Sequence, residues 1–203
     1  MSVIKDILEL LDKNKAFPNY QSERRIDIFI NLYLEEAFSN YFSDNSIIKY
    51  ICPEFPLKNE ENNLSTKVDY LCSRTINSMQ EILFVELKTD ELSFRDKQIQ
   101  TYLSRPSWGE CVKGLALIIK TSKQKTKYQM LFQLIKDCQI PDSSMVRTLY
   151  IAPLPKKKVL NFEITNPKQF TKLIHSTKDT DKSIILEFID KWDLFVFEIK
   201  NKS

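Results

Sequence analysis

The run Ile82-Leu83-Phe84-Val85-Glu86-Leu87 constrains this chain more than any other stretch, because it sets one carboxylate among apolar residues of a strand that has to be buried. An unpaired charge in such a place is too costly to be an accident of packing, so Glu86 must have something to bind. Alternation along a strand puts Glu86 and Lys88 on one face, roughly 7 Å apart, with Leu83, Val85 and Leu87 turned the other way into a core.

Around that run the chain has an α/β pattern. Ile26, Phe29, Ile30, Tyr33, Leu34, Ala37, Phe38 and Tyr41 recur at the spacing of one buried helical stripe, which predicts a helix over 22–42. Glu23 falls near the centre of that stripe, and an earlier helix is expected over 3–13. Three β-rich segments follow, at 46–55, 66–73 and 81–88, joined by the polar connections KNEENNLS and RTINSMQ; an antiparallel meander is the economical topology. Helical spacing returns over 94–103, where Ser93 can serve as cap, and Pro106 ends the segment. Leu115–Lys120 (LALIIK) is predicted as a buried strand, 125–137 as a helix with Tyr128, Leu131, Leu134 and Ile135 inward, and 146–152 as a further strand. Helices are expected at 167–174 and 183–194.

With 203 residues, and no stretch that resembles an interdomain linker, one domain spanning 1–203 is expected. No apolar run is long enough for a helix to cross a bilayer, and the first residues lack the pattern of a secretory leader, so a cytoplasmic protein with no membrane partner is expected. The two glycines, Gly109 and Gly114, cannot write a P-loop or a dinucleotide-binding turn. A single histidine, His175, excludes a multi-histidine metal site. The four cysteines, Cys52, Cys72, Cys111 and Cys138, stand singly and are expected to be reduced, buried thiols. Lysines cluster at Lys120, Lys123, Lys125 and Lys127 and again at Lys156, Lys157 and Lys158; solvated loops are the ordinary reading, and phosphate contacts the functional one.

On the neighbouring strand Asp69 interrupts the apolar run Val68-Asp69-Tyr70-Leu71. If the two strands pair through RTINSMQ, Asp69 and Glu86 become cross-strand neighbours, and two close carboxylates repel unless a cation lies between them. A hard divalent ion, Mg2+ or Mn2+, resolves that conflict, and the ammonium of Lys88 beside it could orient a water or stabilise a pentacovalent phosphate. Gln98 and Tyr102 stand i, i+4 in one row with Phe94 on the following helix and could reach back over such a site.

Asp69, followed after sixteen residues by Glu86-Leu87-Lys88, resembles the D…ExK signature of the PD-(D/E)XK nuclease superfamily, and Gln98-Ile99-Gln100-Thr101-Tyr102 is similar to the QxxxY motif of its RecB-like members. The resemblance implies a restriction-endonuclease-like αβββαβ core over about residues 20–120 with a mixed central sheet flanked by helices, and C-terminal α/β additions over about 121–203. It also implies a metal-dependent nuclease acting on DNA. In such an enzyme Asp69, Glu86 and the carbonyl of Leu87 would bind Mg2+ or Mn2+. Lys88 would assist the attacking water, Gln98 and Tyr102 would contact DNA or support the site, and Glu23 would take the place of an extra acid on the first helix. A single-domain nuclease that cuts both strands would suit a homodimer. Alanine at Asp69, Glu86 or Lys88 is expected to abolish cleavage and leave the fold intact. The alternative is a nucleic-acid-binding or protein-interaction module that keeps the fold without turnover. Glu198-Ile199-Lys200 repeats the ExK letters but has no upstream hairpin partner bearing an acid at suitable spacing.

Overall fold

The computed structural model describes residues 23–58, 65–88, 95–104, 107–151 and 163–165, with backbone alone for 23–26, 28, 29, 97 and 163–165. The expected helices at 3–13, 167–174 and 183–194, Ser93, Phe94, His175, Lys156 to Lys158 and Glu198-Ile199-Lys200 lie outside the described residues.

The protein is α/β, with a mixed sheet and helices. Its elements are α1 (Glu23–Phe42), β1 (Ile47–Lys58), β2 (Ser65–Ile76), β3 (Met79–Leu87), α2 (Asp96–Leu103), α3 (Trp108–Thr121), α4 (Lys125–Asp137), β4 (Met145–Ile151) and β5 (Glu163–Thr165). The strand order is β1-β2-β3-β4-β5. Two compact units interleave along the chain: Asp44–Glu86 with Phe94–Leu149 form one, and Met1–Ser43, Leu87–Ser93 and Tyr150–Ser203 the other.

In the first of these units β1 and β2 pair antiparallel, as do β2 and β3. Pro53 and Pro56 lack an N–H for a ladder, which suits β1 to the edge position it occupies. One residue of β1 bulges between Tyr50 and Cys52, where the register with β2 shifts. The β2–β3 connection is far shorter than RTINSMQ suggests. Arg74 to Ile76 and Met79 to Gln80 continue the strands, leaving a two-residue turn, Asn77-Ser78, with φ of 47° and 66°. Positive φ at both turn residues matches the twist of the flanking strands, and a tight hairpin of this kind fixes register firmly.

β3 lies between β2 and β4, and Ile82 to Leu87 are all buried. Burial on both faces explains why this segment has no apolar–polar alternation. On the face that carries Phe84 and Glu86, four aromatic rings follow one another: Trp108 lies 5.4 Å from Phe55, Phe55 lies 6.4 Å from Phe84, and Phe84 and Tyr102 meet edge-to-face at 5.9 Å.

One expected strand is overturned. LALIIK lies inside the helix α3, where Trp108, Cys111 and Leu115 form its buried stripe at i, i+3 and i+7. A short apolar run is compatible with a strand or a buried helix, and here the flanking apolar residues impose the 3.6-residue period. Among the described residues three helices therefore separate β3 from β4, and the strand beside β3 comes from 145–151, beyond the expected core of 20–120. The start of α3 comes close to the segment before β4: Gly109 N–H donates to Asp142 O at 2.8 Å, and a Cβ there would stand 3.0 Å from the Asp142 Cβ. α3 packs on β1 and on α4. In α4 Ile135 is buried, Tyr128 and Leu131 are half-buried, and Leu134, expected inward, is exposed.

In the other unit, α1 buries Ile30, Leu34, Ala37 and Phe38 along the expected stripe, with Tyr33 and Tyr41 half-buried. Among the described residues no helix is long and apolar enough to cross a membrane.

Cys52, Cys72 and Cys111 are buried free thiols, and Cys138 is half-buried. Burial pushes the Cys52 thiol up to about 12 and raises that of Cys138 less far. Because the thiolate is the nucleophile, iodoacetamide at neutral pH is expected to alkylate Cys138 first, and Cys52, Cys72 and Cys111 only after unfolding, as read by peptide mass spectrometry.

Candidate functional site

The register that pairs Tyr70 with Val85 sets Asp69 opposite Glu86 one step further along β2 and β3. The Asp69 N–H donates to Glu86 Oε1 at 3.3 Å. Asp69 itself is half-buried, while Glu86 has no exposed surface. The expected cross-strand pair is therefore formed.

α2 closes over it. Gln98 Nε2 donates to Glu86 Oε2 at 2.9 Å and to the Tyr102 hydroxyl at 2.8 Å. Tyr102 Oη in turn donates to Glu86 Oε1 in a close hydrogen bond, with the Lys67 carbonyl a more distant acceptor at 3.3 Å. Gln98, Tyr102 and Glu86 thus form a closed ring of hydrogen bonds. One turn of helix separates Gln98 from Tyr102, so α2 presents both groups to the same carboxylate. The Phe84 ring, two residues before Glu86 on the same strand face, meets the Tyr102 ring edge-to-face.

Hydrogen bonds from Asp69, Gln98 and Tyr102 replace the water that Glu86 loses on burial. What results is a carboxylate fixed in one orientation. The sequence signalled Gln98 and Tyr102 through their i, i+4 spacing, but not that they would bond Glu86 directly. The Lys67 carbonyl and the aromatic support from Phe55 and Trp108 had no signal of their own.

Asp69 and Glu86 offer hard oxygen donors of the kind Mg2+ takes, usually as one or two carboxylates supplemented by water. Both Glu86 oxygens already accept hydrogen bonds from Asp69, Gln98 and Tyr102. Among the described residues no group of three or more His, Cys, Asp or Glu is arranged to hold a metal. Leu87 and Lys88 follow Glu86 directly but belong to the other compact unit. There Lys88 is buried, and its backbone N–H donates to the Ile151 carbonyl at 2.9 Å. Glu23 is the first residue of α1 in that same unit, and its side chain lies outside the described residues.

A second polar cluster in the unit of Asp69 is structural. The guanidinium of Arg74, buried in β2, bonds Asp44 and Glu81 closely, and Arg147 approaches Glu81 at 3.8 Å. Hydrogen bonding from Ser46, followed by the Arg74 guanidinium, holds the Asp44 carboxyl below its ordinary value. Arg74 and Glu81 are register partners across the hairpin, so the pair fixes the alignment that also sets Asp69 against Glu86.

Compared with protein-family models, with curated proteins and with solved structures, this chain matches none of them.

Proposed function

We propose that the chain is a Mg2+- or Mn2+-dependent nuclease that hydrolyses phosphodiester bonds in DNA, on a restriction-endonuclease-like core of the PD-(D/E)XK type. The observation that carries this reading is the Glu86 carboxylate, buried in β3 beside Asp69 and clamped by Gln98 and Tyr102. Those four are among the five residues that the D…ExK and QxxxY patterns name, Lys88 being the fifth. In this reading Asp69 and Glu86 hold the ion, with the Leu87 carbonyl as a further ligand. A bound divalent ion would lower the pKa of a water and offset charge on the scissile phosphate. Lys88 supplies the cation that orients the attacking water, and Glu23 an additional acid. Gln98 and Tyr102 act on Glu86: they fix its orientation so that the ion's position is set before substrate arrives.

The same hydrogen bonds favour a second reading. Both Glu86 oxygens already accept protein donors, which suits a non-catalytic nucleic-acid-binding or protein-interaction module in which Glu86 organises the hairpin and α2. Isothermal titration with MnCl2 separates the two. The nuclease is expected to bind Mn2+ at a site that Asp69→Ala abolishes; an inert module binds none in either form.

A further inference from the structure

The α3–α4 hairpin has a lopsided charge. From Cys111 to Lys136 the chain contains no aspartate or glutamate and six lysines: Lys113, Lys120, Lys123, Lys125, Lys127 and Lys136. Four of these crowd into the eight residues KTSKQKTK, which cover the end of α3, the turn and the start of α4, and all four are exposed. None of the four forms an ion pair with another described residue, whereas exposed Lys67 pairs with Glu54 at 2.5 Å. Lys136 lies over the Phe132 ring, 5.0 Å from its centroid.

Local stability does not explain this arrangement. Lys125 and Lys127 sit in the first turn of α4, which has no acid, although the partial positive charge of a helix N-terminus favours acids there. Lys120, in the last turn of α3, is the one of the four whose position the helix dipole favours. Like charges crowded on one turn also repel each other and gain nothing from burial. An anionic partner would relieve both costs.

We infer that the α3–α4 turn is a docking surface for the phosphate backbone of double-stranded DNA, an assignment that rests on the nuclease reading for its choice of polyanion. Between the lysines stand Thr121, Ser122, Gln124 and Thr126, polar side chains of the kind that contact phosphate oxygens. No apolar side chain occurs from Lys120 to Lys127, so the patch lacks the wedge that a membrane-surface helix inserts beside its basic residues. The segment from Cys111 to Lys136 also has no arginine for bidentate reading of guanine. Contact here positions the duplex and does not read its sequence.

The test is fluorescence anisotropy of a labelled mixed-sequence duplex titrated with the full chain in EDTA, across a range of NaCl concentrations. Phosphatidylserine vesicles serve as a second probe by sedimentation. Replacing Lys120, Lys123, Lys125 and Lys127 by glutamine is expected to flatten the log–log salt dependence by about 0.9 per lysine and to weaken binding at 0.1 M salt by at least about a hundredfold. A Lys123→Gln/Lys125→Gln double variant, should the fourfold one fold poorly, is expected to show about half that change in slope. Wild-type slope and affinity in a folded variant would overturn the assignment. So would a wild type that sediments with the vesicles through these lysines and ignores the duplex. Because binding is read without metal, a protein that holds duplex through this turn yet cuts nothing with Mn2+ would contradict the nuclease reading alone.

Discussion

Asp69→Asn is expected to slow metal-dependent cleavage of plasmid DNA by about a thousandfold. A metal acting as Lewis acid contributes several kcal/mol to a phosphoryl transition state, and each 1.36 kcal/mol is about tenfold in rate. The substitution keeps the size of the side chain and leaves in place the backbone N–H that donates to Glu86. Asp69 is half-buried, so stability in urea should change by no more than about 0.5 kcal/mol. Loss of rate without loss of fold would place Asp69 in the chemistry. Cleavage at the wild-type rate would remove it.

Glu86→Ala has the largest expected effect on stability. It removes at once the acceptor oxygens that Glu86 offers to the Tyr102 hydroxyl, the Gln98 amide and the Asp69 N–H, leaving Gln98 the Tyr102 hydroxyl and Tyr102 the more distant Lys67 carbonyl. A buried donor left unsatisfied costs about 1–3 kcal/mol, so a total loss of about 2–4 kcal/mol is expected, a large share of the roughly 5–15 kcal/mol that holds a domain together. Urea denaturation should show a lower midpoint with an unchanged slope. The expectation that alanine here spares the fold therefore needs correction: Glu86→Gln, which keeps the volume and one acceptor oxygen, is the variant on which activity should be read. An alanine variant as stable as the wild type would mean that the ring of hydrogen bonds contributes little.

Much of this arrangement is legible in the sequence because period-two and period-3.6 patterns are strong where a segment is long. The helix α1 and the three hairpin strands show themselves by pattern, and the Asp69–Glu86 pairing follows once a hairpin joins their strands. LALIIK reads as a strand because five apolar residues do not set a period by themselves; Trp108 and Cys111 upstream decide it. The Asn77-Ser78 turn was hidden inside RTINSMQ, since polar residues on strand ends look like loop. Arg74 gave no signal because its partners, Asp44 and Glu81, come from either side in sequence and meet only when the sheet forms. The burial of Glu86 signals that it needs a partner, yet its side-chain partners come from α2, which a burial argument cannot distinguish from a cation.

A crystal structure of the protein soaked with MnCl2, read by anomalous scattering, is the most direct measurement of the proposed centre. The nuclease reading predicts a Mn2+ ion bound by carboxylate oxygens of Asp69 and Glu86 and by the Leu87 carbonyl, with Gln98 and Tyr102 still on Glu86. An anomalous map with no ion at these residues, and Glu86 held only by Asp69, Gln98 and Tyr102, would contradict it.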